Sequence, residues 1–211
     1  MDIVLMGAPG AGKGTQAERL EKQLNYTHIS TGDVLRKEIA SKSEAGKKIA
    51  AIIDNGDLIS DEWMLSILKQ VVSGIKGNII LDGFPRTVAQ AEMLDKMLAE
   101  LGRKIGKVIE IVLPDEAVVT RLSARKQCKL PSGAIKQIGP DFSLADCQAQ
   151  AGEVFVRKDD APESVIHRLG VYHKQTEPIM DFYRAEGRFV EINGNQAPDA
   201  VFTELLEVLK A

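Results

Sequence analysis

The sequence predicts an α/β fold, a doubly wound parallel sheet of five strands with helices on both faces. Short apolar runs alternate along the 211 residues with amphipathic stretches, which is the pattern of repeated βαβ units. The runs at 78–82 and 107–113 are rich in β-branched residues, as strands covered on both faces are. A glycine-rich turn, Gly7-Ala-Pro-Gly-Ala-Gly-Lys-Gly-Thr15, follows directly on the apolar run Ile3 to Met6. That is where such folds pass from their first strand to their first helix.

The elements follow in order. Strands are read at 2–6, 27–30, 78–82, 107–113 and 188–192. Helical periodicity fills most of the gaps, at 14–24, 31–42, 61–72, 88–101, 115–125, 162–185 and 198–209. In the last of these, Val201, Leu205, Val208 and Leu209 share one face. Two stretches break the alternation. Residues 31–72 carry more helix than one crossover needs, so part of them reads as an insertion. Residues 126–160 hold Pro131, Gly133, Gly139, Pro140 and Gly152 with few apolar runs; a stretch that long without clear helix is a functional lid or disordered.

The glycine turn carries the first chemistry. Glycines let the backbone turn tightly and aim N–H groups at a phosphate, and the helix N-terminus behind them adds partial positive charge. Lys13 reaches the outer phosphates from such a loop, and a hydroxyl beside it meets magnesium. The general pattern wants Ser or Thr directly after the lysine; here Gly14 intervenes and the hydroxyl is Thr15. A second cluster closes the strand at 78–82, in Asp82-Gly-Phe-Pro-Arg-Thr87. Asp82 there suits magnesium-bound water, and Arg86 offers a planar fork for phosphate. Arg121 and Arg125, four apart on the expected helix, precede the irregular segment; Arg157 and Arg168 follow it. Four arginines around one flexible segment suggest a charge clamp.

Composition narrows the class. A net charge of −3 gives no support for nucleic-acid binding, and no apolar run approaches the roughly 18 residues of a membrane helix. The first expected strand leaves no room for a signal peptide, so a cytoplasmic protein is expected. Two cysteines are no disulfide framework. His28, His167 and His173 form no evident catalytic constellation and read as structural or exposed.

Taken together, the glycine loop, Ser30-Thr-Gly-Asp33 with Arg36, Asp82-Gly-Phe-Pro-Arg-Thr87 with Gln90, and Arg157-Lys-Asp-Asp160 resemble the adenylate kinases of the long-lid bacterial type. The resemblance runs in order from residue 1 to beyond 190. It implies a P-loop core domain (1–29, 60–123 and 161–211), an AMP-binding segment at 30–59 and a mobile lid at 124–160. It also implies the reaction of Mg-ATP with AMP to give two ADP, in a monomer that takes no nucleic acid. By position, Gly10, Ala11, Gly12, Lys13, Gly14 and Thr15 correspond to the ATP phosphate loop. Arg121, Arg125, Ile135, Lys136 and Gln196 correspond to the rest of the ATP site. Thr31, Arg36, Asp57, Leu58, Ile59, Gly83, Phe84, Pro85, Arg86 and Gln90 correspond to the AMP site. Arg157 and Arg168 would bridge to the transferring group, with Lys13, Arg86, Arg121 and Arg125 completing the catalytic cations. Asp33 and Asp82 would order water around Mg2+.

The irregular segment departs from the resemblance. Where many long-lid members place four zinc ligands, this chain has Cys128, Pro131, Cys147 and Gln150. Two thiolates do not make the four-coordinate site that structural zinc prefers, so no protein-bound zinc is expected. Free thiols are the expectation, and a disulfide is the lesser alternative in a reducing compartment. The usual Tyr-His and Phe-Asn-Pro-Pro of that lid are missing too; Ile135, Lys136, Gly139 and Pro140 occupy the region. Other readings are a kinase for UMP or CMP, or a nucleotide sensor without catalysis. The intact set of cations speaks against the sensor, and a GTPase would need an Asn-Lys-x-Asp motif that the chain lacks.

Overall fold

A computed structural model describes residues 1–54 and 59–210. Its strands are β1 (Asp2–Met6), β2 (Thr27–Ser30), β3 (Ile79–Asp82), β4 (Ile105–Val112), β5 (Gln127–Lys129), β6 (Ile135–Gln137), β7 (Glu153–Phe155) and β8 (Phe189–Asn193). Five of them form one parallel sheet in the order β2-β3-β1-β4-β8. The central strand β1 is buried along its whole length. Register places Leu5 beside Asp82 on one side and Ile109 on the other. Neighbours of β1 therefore diverge in chain order on its two sides, and in such sheets the ligand crevice opens beyond the carboxyl ends of the strands.

Helices cover both faces. They are α1 (Lys13–Leu24), α2 (Thr31–Ala40), α3 (Glu44–Asp54), α4 (Asp61–Ser73), α5 (Val88–Glu100), α6 (Asp115–Ser123), α7 (Leu144–Ala149), α8 (Pro162–Val171), α9 (Pro178–Ala185) and α10 (Pro198–Lys210). Each long helix turns an apolar stripe inward, as Met64, Leu68 and Val72 do on α4 and Ala91, Leu94 and Leu98 on α5. Asp2 is buried at the start of β1 and is satisfied there. It accepts from Arg103 Nε at 2.8 Å and Nη2 at 2.7 Å, and from the Ile79 N–H at 3.0 Å. None of the described helices is long and apolar enough to cross a membrane.

The strand expectations hold within a residue or two, and four others need correction. The helix expected over 162–185 is broken, because Pro178 has no N–H and its ring crowds the carbonyl four residues back. A wide five-residue turn at Tyr172–Thr176 separates α8 from α9. The helix expected over 115–125 stops at Ser123, so Arg125 lies past its end and does not share a helical face with Arg121. The stretch 126–160 is not irregular throughout. It folds into an antiparallel sheet, β6-β5-β7, against α7, whose Ser143 and Asp146 cap each other reciprocally. Finally, Cys128 and Cys147 are not free thiols but a disulfide. The small sheet and α7 bring their Cα atoms to 5.9 Å, within the range a disulfide spans.

Candidate active site

The glycine loop leaves β1 and enters α1 without a side-chain cap at Gly12. An uncapped start leaves the first N–H groups of the helix facing outward, and with the helix dipole these make an anion site. Gly7 is required by its neighbour. Its φ is +133°, and a Cβ would lie 2.5 Å from the Ile111 carbonyl oxygen of β4. The loop is thus seated on the sheet edge at one end and on a helix at the other. Lys13 folds back across it, donating from Nζ to the Gly7 carbonyl at 2.8 Å and the Ala8 carbonyl at 3.0 Å. Burial lowers its pKa to about 8, Arg86, Arg168 and Arg125 adding to the fall and Asp82 opposing it.

A cleft of about 1360 Å³ extends from this loop. Its far wall is the β3–α5 turn. Arg86 stands there, its Nε donating to the Gly83 carbonyl at 2.7 Å and its backbone N–H to Gln90 Oε1 at 2.7 Å. Its two terminal nitrogens make no hydrogen bond or ion pair among the described residues. Burial, with Arg168 close by, pulls its pKa to about 10. Arg157 donates to Gln127 Oε1 at 2.5 Å and is likewise pulled to about 10 by burial and by Arg36 and Arg125. Arg125 grips the buried Asp160 with Nε at 2.7 Å and with Nη2. Arg168 bonds the Asp159 carbonyl at 2.9 Å and sits 3.6 Å from Asp160. Arg121 donates to the Gly194 carbonyl at 2.9 Å. Burial and the neighbouring cations thus lower Lys13, Arg86, Arg157 and Arg168, so the cleft favours an anion that relieves them.

The structure brings nearly all the residues expected at the site to this cleft. Gly10 to Thr15, Asp33, Arg36, Asp82 to Arg86, Arg121, Arg125, Ile135, Arg157, Arg168 and Gln196 all line it. Thr31 and Gln90 sit just beneath the surface. Thr31 donates to the Asp82 carbonyl at 3.2 Å, and Gln90 donates to Asp61 Oδ1 at 2.6 Å. Ile59 is buried in the core. Asp57 and Leu58 lie outside the described residues. Lys136 is the exception. It alternates on β6 with Ile135 and Gln137, which face the cleft, and it does not line the cavity. Asp33 pairs with Arg36 (Nε 3.1 Å) and lies 4.0 Å from Arg157. Burial would raise its carboxyl, but Arg36 and Arg157 outweigh that and hold it low.

His28 was missed as a member of this site. Its Nε2 lies 3.4 Å from Asp82 Oδ2 inside the cleft. Burial would lower its pKa, yet Asp82 and Asp33 raise it on balance. No local signal marks it: the pairing of β2 with β3 is what brings His28 to Asp82, 54 residues on. Thr176 was missed too; it also lines the cleft and donates to the Arg86 carbonyl at 3.1 Å.

Such an arrangement can gather polyphosphate, neutralise it and keep its groups in line. By fold and site this is a P-loop enzyme of phosphoryl transfer. The family model described as adenylate kinase matches residues 5–188. An adenylate kinase of Caldicellulosiruptor bescii is 45% identical over 99% of each chain. One from Desulforamulus reducens is 43% identical over 100% of both. One from Methanothrix thermoacetophila is 41% identical over 99% of this chain and 98% of its own. The chain belongs to the adenylate kinase family and is a phosphotransferase.

Proposed function

We propose that the cleft carries out reversible transfer of the terminal phosphoryl group of Mg-ATP to AMP, giving two ADP. The bond from the γ-phosphorus to the β,γ-bridging oxygen breaks and one to an AMP phosphate oxygen forms. The observation that carries this reading is Arg86, whose terminal nitrogens are unpaired among the described residues and which lines the same cleft as the glycine loop, Lys13, Arg125, Arg157 and Arg168. Phosphoryl transfer asks chiefly for alignment and charge neutralisation. A phosphate acceptor with a second pKa of about 6 is largely ionised at pH 7, so no general base is needed.

The residues divide the work. Gly10 to Thr15 wrap the ATP phosphates, and Lys13 exchanges its two loop carbonyls for phosphate oxygens. Arg121, Arg125 and the backbone near Ile135 and Gln196 complete the ATP side. Thr31, Arg36, Asp57 to Ile59, Gly83 to Arg86 and Gln90 take AMP, with the segment 30–59 as its binding module. Arg157 and Arg168 bridge to the transferring group as the lid, 124–160, folds over the core of 1–29, 60–123 and 161–211. Closure excludes water that would otherwise compete with AMP.

Mg2+ fits the residues present. No cluster of three His, Cys, Asp or Glu side chains suited to a metal occurs among the described residues. The ion typically keeps several waters and binds through substrate phosphates with one or two carboxylates. Asp82 meets that need: its Oδ2 lies 3.8 Å from where a Cβ on Gly14 would stand. Thr15, Asp33 and Asp82 would hold the ion's water, and the ion would neutralise charge on the phosphates.

The test is an acceptor panel. Purified protein is given Mg-ATP with AMP, UMP, CMP, GMP or no acceptor, and the diphosphates are counted. ADP formed only with AMP supports the reading and a lid that excludes water. Preferential turnover of another acceptor would move the specificity, and steady hydrolysis without acceptor would refute the lid.

A further inference from the structure

The wide turn at Tyr172–Thr176 is closed by the Glu177 N–H donating to the Tyr172 carbonyl at 2.9 Å. Such turns gather at functional sites, where the extra residue changes which side chains face inward. Here it places Thr176, which is 8% exposed and lines the cleft. Its hydroxyl donates to the carbonyl of Arg86 at 3.1 Å, across 90 residues of chain.

That carbonyl needs a donor from elsewhere. Arg86 precedes Thr87, the N-cap of α5, so its oxygen stands outside the helical ladder. Among the described residues, the other hydrogen bonds of Arg86 come from its own segment, through Gly83 and Gln90. Thr176 alone of the described residues ties the Arg86 backbone to a different part of the fold. The guanidinium is then steered from both ends, Nε by Gly83 and main chain by Thr176, and its terminal nitrogens are left to the cleft.

We propose that Thr176, presented by the wide turn, is a positioning residue for Arg86 that sets the arginine's backbone where its two terminal nitrogens meet the phosphoryl oxygens. The proposal rests on the reading of Arg86 as a phosphoryl-binding group. Its physical basis is the steep penalty on misplacement: a shift of about 1 Å costs on the order of a hundredfold in rate.

The experiment compares T176V, T176S, R86A and the R86A/T176V double variant by single-turnover transfer at saturating Mg-ATP and AMP, with KM for ATP and melting temperature alongside. Loss of one buried hydrogen bond should slow transfer by about tenfold in T176V, with KM for ATP within about twofold. Serine restores the hydroxyl and should return the rate to within about threefold. In the R86A background T176V should have no further effect, because residues acting as a unit are non-additive. An unchanged rate in T176V beside a crippled R86A overturns the proposal. So does a loss that serine fails to rescue, or one that persists undiminished without Arg86. A wild-type rate in R86A would instead overturn the placement of Arg86 itself, and the proposal with it.

Discussion

Arg19 of α1 and Asp141 of the segment 124–160 are joined at two points, Nε to Oδ2 and Nη2 to Oδ1, both at 2.9 Å. Arg19 also bonds Asp199 at the start of α10 at 2.9 Å and lies over the Phe202 ring at 5.9 Å. The arginine is pre-placed by the core, so Asp141 gives up little entropy beyond its own in meeting it. This pair ties the segment 124–160 to α1, the helix behind the glycine loop.

Removing it should loosen that tie and little else. Asp141 is 43% exposed, and pairs of this kind contribute up to about 1 kcal/mol, or roughly fivefold in an equilibrium. D141N is therefore expected to raise KM for ATP by about two- to fivefold with an unchanged melting temperature. Raising ionic strength should narrow the difference between variant and wild type. A KM equal to wild type at low salt would show that the pair does nothing for ATP binding.

Lys13→Met should cut turnover by on the order of a hundredfold or more, the scale seen when one stabilising donor is removed from a transition state. Stability should not fall with it. The Lys13 ammonium is buried against its preference, with a pKa near 8, so an apolar side chain of similar length relieves a cost. Chemical denaturation checks the second half, and near-normal activity would refute the placement of Lys13 on the phosphates.

How far these features were legible depends on their range. The glycine loop, the five parallel strands and the Asp82-to-Thr87 turn are local patterns, and they stand where the sequence puts them. Features made by distant partners were not readable. Asp2 and Arg103 pair across 101 residues, and Thr176 reaches Arg86 across 90. The disulfide was weighed against because a reducing compartment was expected; nothing local showed that the small sheet would bring the two sulfurs together. One miss had a plain signal. Pro178 cannot sit inside a regular α-helix without losing a hydrogen bond, and reading it would have exposed the turn that carries Thr176.

The disulfide makes Gly152 indispensable to the small sheet. A Cβ at 152 would lie 2.3 Å from Cys128 Sγ and 2.8 Å from Cys147 Sγ, and bonded sulfurs have no room to retreat. Gly152→Ala should therefore destabilise the small sheet by about 1–3 kcal/mol, as overpacking does. Hydrogen exchange across 127–155 would quicken while exchange in the β1 amides holds. Reduction should act on the same amides, since a cross-link spanning 19 residues contributes about 3 kcal/mol in the chain-entropy account. If neither G152A nor reductant changes exchange there, the sulfurs do not hold the segment.

His173 gives the pH dependence a definite sign. It bridges two carboxylates, Nδ1 to Glu177 Oε2 at 3.0 Å and Nε2 to Asp115 Oδ2 at 3.0 Å, and so staples the wide turn to the start of α6. Glu177 first and Asp115 second raise its pKa above the usual 6.5, burial opposing slightly. A group whose pKa is raised on folding stabilises fully below its unfolded value, and that contribution is lost as pH climbs through the folded value. The side chain is 44% exposed, so each pair contributes less than about 1 kcal/mol. Unfolding in urea should thus show wild type more stable than H173Q at pH 6, with the gap closing by pH 9. A gap that stays constant across that range would mean that His173 packs without carrying charge. A gap that opens toward high pH would reverse the assignment and mean that the imidazole is held neutral.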